Sequence, residues 1–120
     1  MRLQDRIELL YASNQVDRDT YEKTPALLEQ VASFTGVRLE EENAGAFTAH
    51  LMKAIDRIKK GEPVLQCSEV LAGEVKANKE AYELALGLLA PFNGHGVSLE
   101  AETVFVASYI LSLTEEEEKE

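Results

Sequence analysis

His50 is the residue whose type and setting are best suited to chemistry. It lies on a stripe made by Phe47, His50, Leu51, Ala54, Ile55 and Ile58, spaced as one face of a helix. Partial burial there penalises the imidazolium form and leaves a neutral ring with a free nitrogen lone pair. That species can attack a phosphoryl donor. Lys53 stands one turn on and Arg57 two turns on, on roughly the same face. At a rise of 1.5 Å per residue, Arg57 begins about 10 Å along the axis from His50. Contact within one helix is at the limit of reach, and contact across an antiparallel helix is easier. Set against this, a histidine on an apolar helix face is most often a packing residue, and spacing by itself does not separate the two readings.

The remaining candidates carry less. His95 sits between Gly94 and Gly96 just before a helix, where an anion could meet free N–H groups. A Gly-X-Gly at such a place is more often plain turn chemistry. Two histidines and one cysteine are too scattered for a metal site. His50 and Cys67 could form a nucleophile pair, but the sequence supplies neither an orienting third group nor an oxyanion hole. Neither an enzyme activity nor a cofactor is expected.

The elements that position these residues are read as helices. Leu3, Ile7 and Leu10 mark a first helix ending near Asn14, and Asp17 offers the N-cap of a second segment carrying Tyr21. Pro25 suits a first helical position with Thr24 as its cap. Leu27, Leu28, Val31 and Phe34 then belong to a new helix or to a kinked continuation that stops at Gly36. The His50 helix closes at Lys59-Lys60-Gly61, with positive charge in its last turn as the helix dipole favours. A fourth helix carries Leu71, Val75, Tyr82, Ala85, Leu86 and Leu89 and stops around Pro91. Asn93-Gly94-His95-Gly96 is a turn, after which Ser98 can cap a last segment with Glu100 and Glu102 in its first turn. From Thr103 to Leu113 that segment is apolar nearly all round, which predicts a central buried helix. The expected fold is all-α, a single five-helix bundle over residues 1–113, with an acidic tail at 114–120.

Composition narrows the function. The chain has 120 residues, about one domain, with 12 basic and 22 acidic side chains and a formal net charge of −10. Nucleic-acid binding relies on cationic patches that neutralise phosphates, so this balance argues against a direct DNA or RNA partner. A helix-turn-helix in the first two helices is disfavoured for the same reason. A single cysteine allows no intrachain disulfide and suits a reducing compartment. The charged N-terminus and the lack of a long apolar run point to a cytoplasmic protein away from the membrane.

The run His50-Leu51-Met52-Lys53-Ala54-Ile55-Asp56-Arg57, with Gly61 after it, resembles the first signature of the phosphotransferase-system regulation domains. These are the helical modules of sugar-operon antiterminators and activators. Glu80-Ala81-Tyr82-Glu83-Leu84-Ala85 resembles that family's later helix with Tyr followed by a small residue, and Glu102, Phe105 and Ala107 match its last helix. The resemblance covers residues 40–113. It implies a five-helix bundle that dimerises, with His50 phosphorylated by the system's phosphocarrier protein or a sugar-specific component. Lys53 and Arg57 would then support the phosphate or the interface. The sequence departs from the pattern at Tyr109, which replaces the histidine of the last helix, a degenerate second site, and at Ala101, which replaces an acid. With no output module in the chain, the expected function is a non-enzymatic regulatory module. It would act in trans on transcriptional regulation of carbohydrate or related metabolism, as a homodimer or a heterodimer with another regulator. The alternative is a degenerate domain that serves only as an interaction or dimerisation module.

Overall fold

The chain turns first where local chemistry tells it to. The computed structural model describes residues 1–118, with side chains through Thr114. Among the described residues it is all-helical: α1 (Leu3–Ala12), α2 (Arg18–Thr35), α3 (Glu41–Lys59), α4 (Glu69–Lys76), α5 (Lys79–Leu89) and α6 (Glu100–Glu118). A short 3-10 turn, Ala90–Phe92, follows α5 and carries Pro91. The acidic stretch 114–120 is helical in its backbone through Glu118. The side chains beyond Thr114 and residues 119–120 lie outside the described residues.

Caps define both ends of α2. Asp17 begins α2, its Oδ1 accepting the Thr20 N–H at 2.9 Å. Gly36 ends α2 in the left-handed region (φ 71°), its N–H bonded to the Ala32 carbonyl, a conformation in which a side chain is penalised. At the C-terminus of α3 the Lys59 ammonium meets Asp17 at 2.7 Å and Asp19 at 2.9 Å. This pairs the positive last turn of α3 with the acidic first turn of α2. Burial raises the Asp17 pKa, but the hydrogen bonds from Lys59 and from the Thr20 N–H outweigh it and hold the carboxyl at about 2.

Three expectations are corrected. At Pro25 the continuation holds, one of the two readings: residues on either side form one helix, α2, with Pro25 in its interior, and what is corrected there is the cap. Thr24 caps nothing; its hydroxyl donates back to the Thr20 carbonyl at 2.7 Å. Thr20, Thr24, Leu27, Leu28 and Val31 are all buried, so one continuous apolar face spans the proline and burial outweighs the lost backbone bond. Among the described residues the bundle also has six α-helices where five were expected, because the fourth segment breaks at Ala77–Asn78. There the Asn78 N–H bonds to the Val75 carbonyl and its side-chain amide to the Glu74 carbonyl, both at 3.0 Å. An asparagine that satisfies the preceding carbonyls in this way competes with helix continuation. Finally, α6 starts at Glu100, so its cap position is Leu99 rather than Ser98.

The core is organised around α6, which packs against α2, α3, α4 and α5, while α1 and α2 cover the other side of α3. Val104, Val106, Ala107 and Ile110 of α6 are fully buried, as are Leu51, Met52, Ala54, Ile55 and Ile58 of α3. α6 is therefore the largely buried apolar helix its composition requires, with a half-buried strip at Phe105, Ser108 and Tyr109 and Ser112 exposed.

Candidate functional site

The α3 stripe delivers His50 to the α3–α6 seam. Its ring rests on two aromatics of α6, with centroids 6.0 Å from Phe105 and 5.2 Å from Tyr109. Tyr109 in turn tilts against Phe47 at 5.9 Å. The residue is half-buried, and Nε2 is shielded from solvent with no hydrogen-bond partner among the described residues. Burial holds the His50 pKa below its ordinary value. The Arg57 charge pushes in the same direction, and the Glu102 carboxylate offsets part of the shift. At neutral pH the ring is thus the neutral imidazole, the form with a nucleophilic lone pair.

Two turns along α3, Arg57 reaches across the seam instead of along its own helix. Its Nε donates to Glu102 Oε2 at 2.7 Å and its Nη2 to Oε1 at 2.8 Å. This bidentate geometry is the strongest pairing available to a carboxylate. The Glu102 side chain is fully buried, and its Oε2 also accepts the Val64 N–H at 3.0 Å. His50 opposite Phe105 and Tyr109, with Arg57 opposite Glu102, means that α3 and α6 run antiparallel. Glu102, Phe105 and Tyr109 line one stripe of α6.

The structure thus gathers His50, Arg57 and Tyr109 along one seam. Lys53 is exposed and makes no ion pair or hydrogen bond among the described residues. His95 belongs elsewhere. Its ring packs over Gly61, where a Cβ would come within 3.1 Å of its Cγ. Asn93 pins that turn by bonding the N–H and carbonyl of Val97. Cys67 is half-buried in the loop before α4 and lines a cleft of about 390 Å³ with Leu65, Ala72 and Ala101, away from either histidine. Among the described residues no three His, Cys, Asp or Glu side chains gather as a metal-binding group, and no helix is long and apolar enough to cross a membrane.

Glu102 falls in the first turn of α6, as the sequence predicts, but its pairing with Arg57 is not among the expectations. The signal was present. A carboxylate inside an otherwise apolar buried segment must find a cation or hydrogen-bond donors, and Arg57 is the cation on the facing stripe.

In comparison with known proteins, the family model described as PRD domain matches residues 26–113. That stretch includes His50, Arg57, Glu102, Phe105 and Tyr109, and with them the whole seam. No curated protein and no solved structure gives a significant match.

Proposed function

The chain belongs to the PRD domain family, the helical regulation modules of the phosphotransferase system, and from that premise we propose that His50 is its phosphoryl acceptor. The observation that carries this reading is a neutral, half-buried imidazole on the α3–α6 seam, in the field of the Arg57 guanidinium. In the reaction, a nitrogen of His50 attacks the phosphorus of a phosphohistidine donor protein. The donor N–P bond breaks, a new N–P bond forms, and the donor imidazole leaves with its nitrogen free to take up a proton. The product carries about −1.5 to −2 charges where a neutral ring stood. Lys53, exposed beside the site, and Arg57 are the cations that would meet that charge.

Because Nε2 is covered, a phosphoryl group on that nitrogen requires the side chains packed around the ring to move. Such a forced repacking can bias a two-state interface. The regulatory consequence proposed is a change in pairing, with a second copy or with another regulator, that alters transcription of carbohydrate-related genes. The donor would be the general phosphocarrier protein or a sugar-specific component.

One observation favours a second reading, a pure interaction module. Nε2 is already buried, and the position of a second acceptor is filled by Tyr109, which packs directly on the His50 ring. In that case the seam serves packing and partner choice only.

Intact-mass measurement after incubation with phosphoenolpyruvate and the purified general phosphotransferase proteins separates the two. An acid-labile single phosphoryl adduct, absent from His50→Ala, supports the first. No adduct beside a working positive control overturns it and leaves the interaction module.

A further inference from the structure

Glu102 holds two things at once, and one of them is outside the bundle's core. Its buried carboxylate is gripped by the Arg57 fork on one side and accepts the Val64 N–H on the other. Val64 lies in the segment between α3 and α4, which carries Leu65 at 70% exposure and leads into α4 with Val70 at 73%. No other hydrogen bond to the Val64 N–H is made among the described residues. The hydrogen-bonded attachment at Val64 therefore runs through Glu102, while Glu62 N–H on the Arg57 carbonyl and Cys67 packed on the core hold the segment's two ends.

Arg57 also stands within the field of His50. His50 lies against Phe105 and Tyr109, three and seven residues along α6 from Glu102, and so about 4.5–10 Å further along the helix axis. An arginine side chain tilts back toward the N-terminus of its own helix, which on α3 is toward His50. Nε and Nη2 of Arg57 are both committed to Glu102, so an anion at position 50 that takes this edge of the guanidinium does so at the expense of Glu102. New negative charge at position 50 thus competes with Glu102 for Arg57.

We propose that Arg57 and Glu102 form a relay that passes the charge state of residue 50 to the 62–68 segment. Charge at position 50 draws Arg57 off Glu102. The carboxylate, left buried with the Val64 N–H as its one remaining donor, repositions toward water, and the Val64 N–H loses its acceptor. The segment with Leu65 then detaches from the core. Arg57 is a positioning residue in this scheme and touches no reacting atom. The inference deepens the phosphoacceptor reading of His50 and rests on it for its physiological trigger. The relay itself is testable without any phosphoryl transfer.

The test is backbone hydrogen exchange of the full chain, read at Val64 and across 62–68, for wild type, His50→Gln, His50→Glu, Arg57→Gln and the His50→Glu/Arg57→Gln double variant. Circular dichroism checks that each is folded. The expected result is exchange at Val64 faster by about tenfold or more in His50→Glu, no such change in His50→Gln, and no further increase from His50→Glu once Arg57 is Gln. Unchanged Val64 exchange in folded His50→Glu overturns the proposal, as does an increase of equal size in both Arg57 backgrounds. Should His50→Glu fail to fold, Arg57→Gln decides: faster Val64 exchange supports the relay, and wild-type exchange overturns it. Absence of a phosphoryl adduct in the mass experiment would sink the phosphoacceptor reading and leave these outcomes intact.

Discussion

The Glu102 carboxylate is fully buried and takes both arms of the Arg57 fork, at 2.7 and 2.8 Å, from the facing helix. The pair joins the C-terminal half of α3 to the first turn of α6. Such a pair contributes little beyond what well-packed apolar residues would, yet removing one partner strands a buried charge.

Arg57→Met is accordingly expected to lower unfolding free energy by about 3–5 kcal/mol. Arg57→Met/Glu102→Leu should recover most of that loss. Urea denaturation followed by circular dichroism measures both. A double variant no better than Arg57→Met would show that the pair is not what the single change damages.

His50 sets a pH dependence whose sign follows from its burial. Its folded-state pKa lies below the unfolded value of about 6.5, so the unfolded chain binds more protons between the two. The stabilisation is present above pH 6.5 and is lost as pH falls through the folded-state value. Wild type should therefore lose more stability between pH 7.5 and 5.5 than His50→Gln, with urea midpoints as the readout. Parallel losses in the two proteins would exclude a depressed His50 pKa.

Tyr109 occupies the α6 position that faces His50 across the seam. Under the phosphoacceptor reading, Tyr109→His offers a second imidazole, and a second phosphoryl adduct is expected by intact mass. A variant that is folded and still takes a single adduct would show that this position no longer accepts.

Gly61 ends α3 at φ 73° with His95 stacked over it. An alanine there meets both the left-handed backbone penalty of about 1–2 kcal/mol and a tight contact to the ring. Gly61→Ala is expected to destabilise by about that amount in urea titration. Adding His95→Ala should relieve only the steric share, so complete rescue by the second change would argue against the backbone term.

Pro25 interrupts the backbone ladder inside α2. A proline in a helix interior costs about 3 kcal/mol relative to alanine, offset by about 1 kcal/mol through its stiffening of the unfolded chain. Pro25→Ala is expected to raise the thermal midpoint. An unchanged or lower midpoint would mean that the proline ring contributes packing of similar size on the α2 face.

Much of this architecture was legible in the sequence because its signals act over one or two helical turns. Asp17 caps, Gly36 and Gly61 stop, and the 3.6-residue stripe places His50 with Leu51 and Ile55; each depends on neighbours a few residues away. α6 reads as buried because an apolar segment with no polar face has nowhere else to go. What lies between helices was legible only in part. The sequence showed Arg57 too far from His50 for easy contact along one helix, but not that Glu102 would take it. Nor did it show that Tyr109 would land on the His50 ring, or which of the two readings at Pro25 burial on both sides would select. Those outcomes depend on which helices become neighbours, in which direction and in which register. Register is fixed by the sum of many weak packing contacts across the core, and no single short-range signal in the chain encodes it.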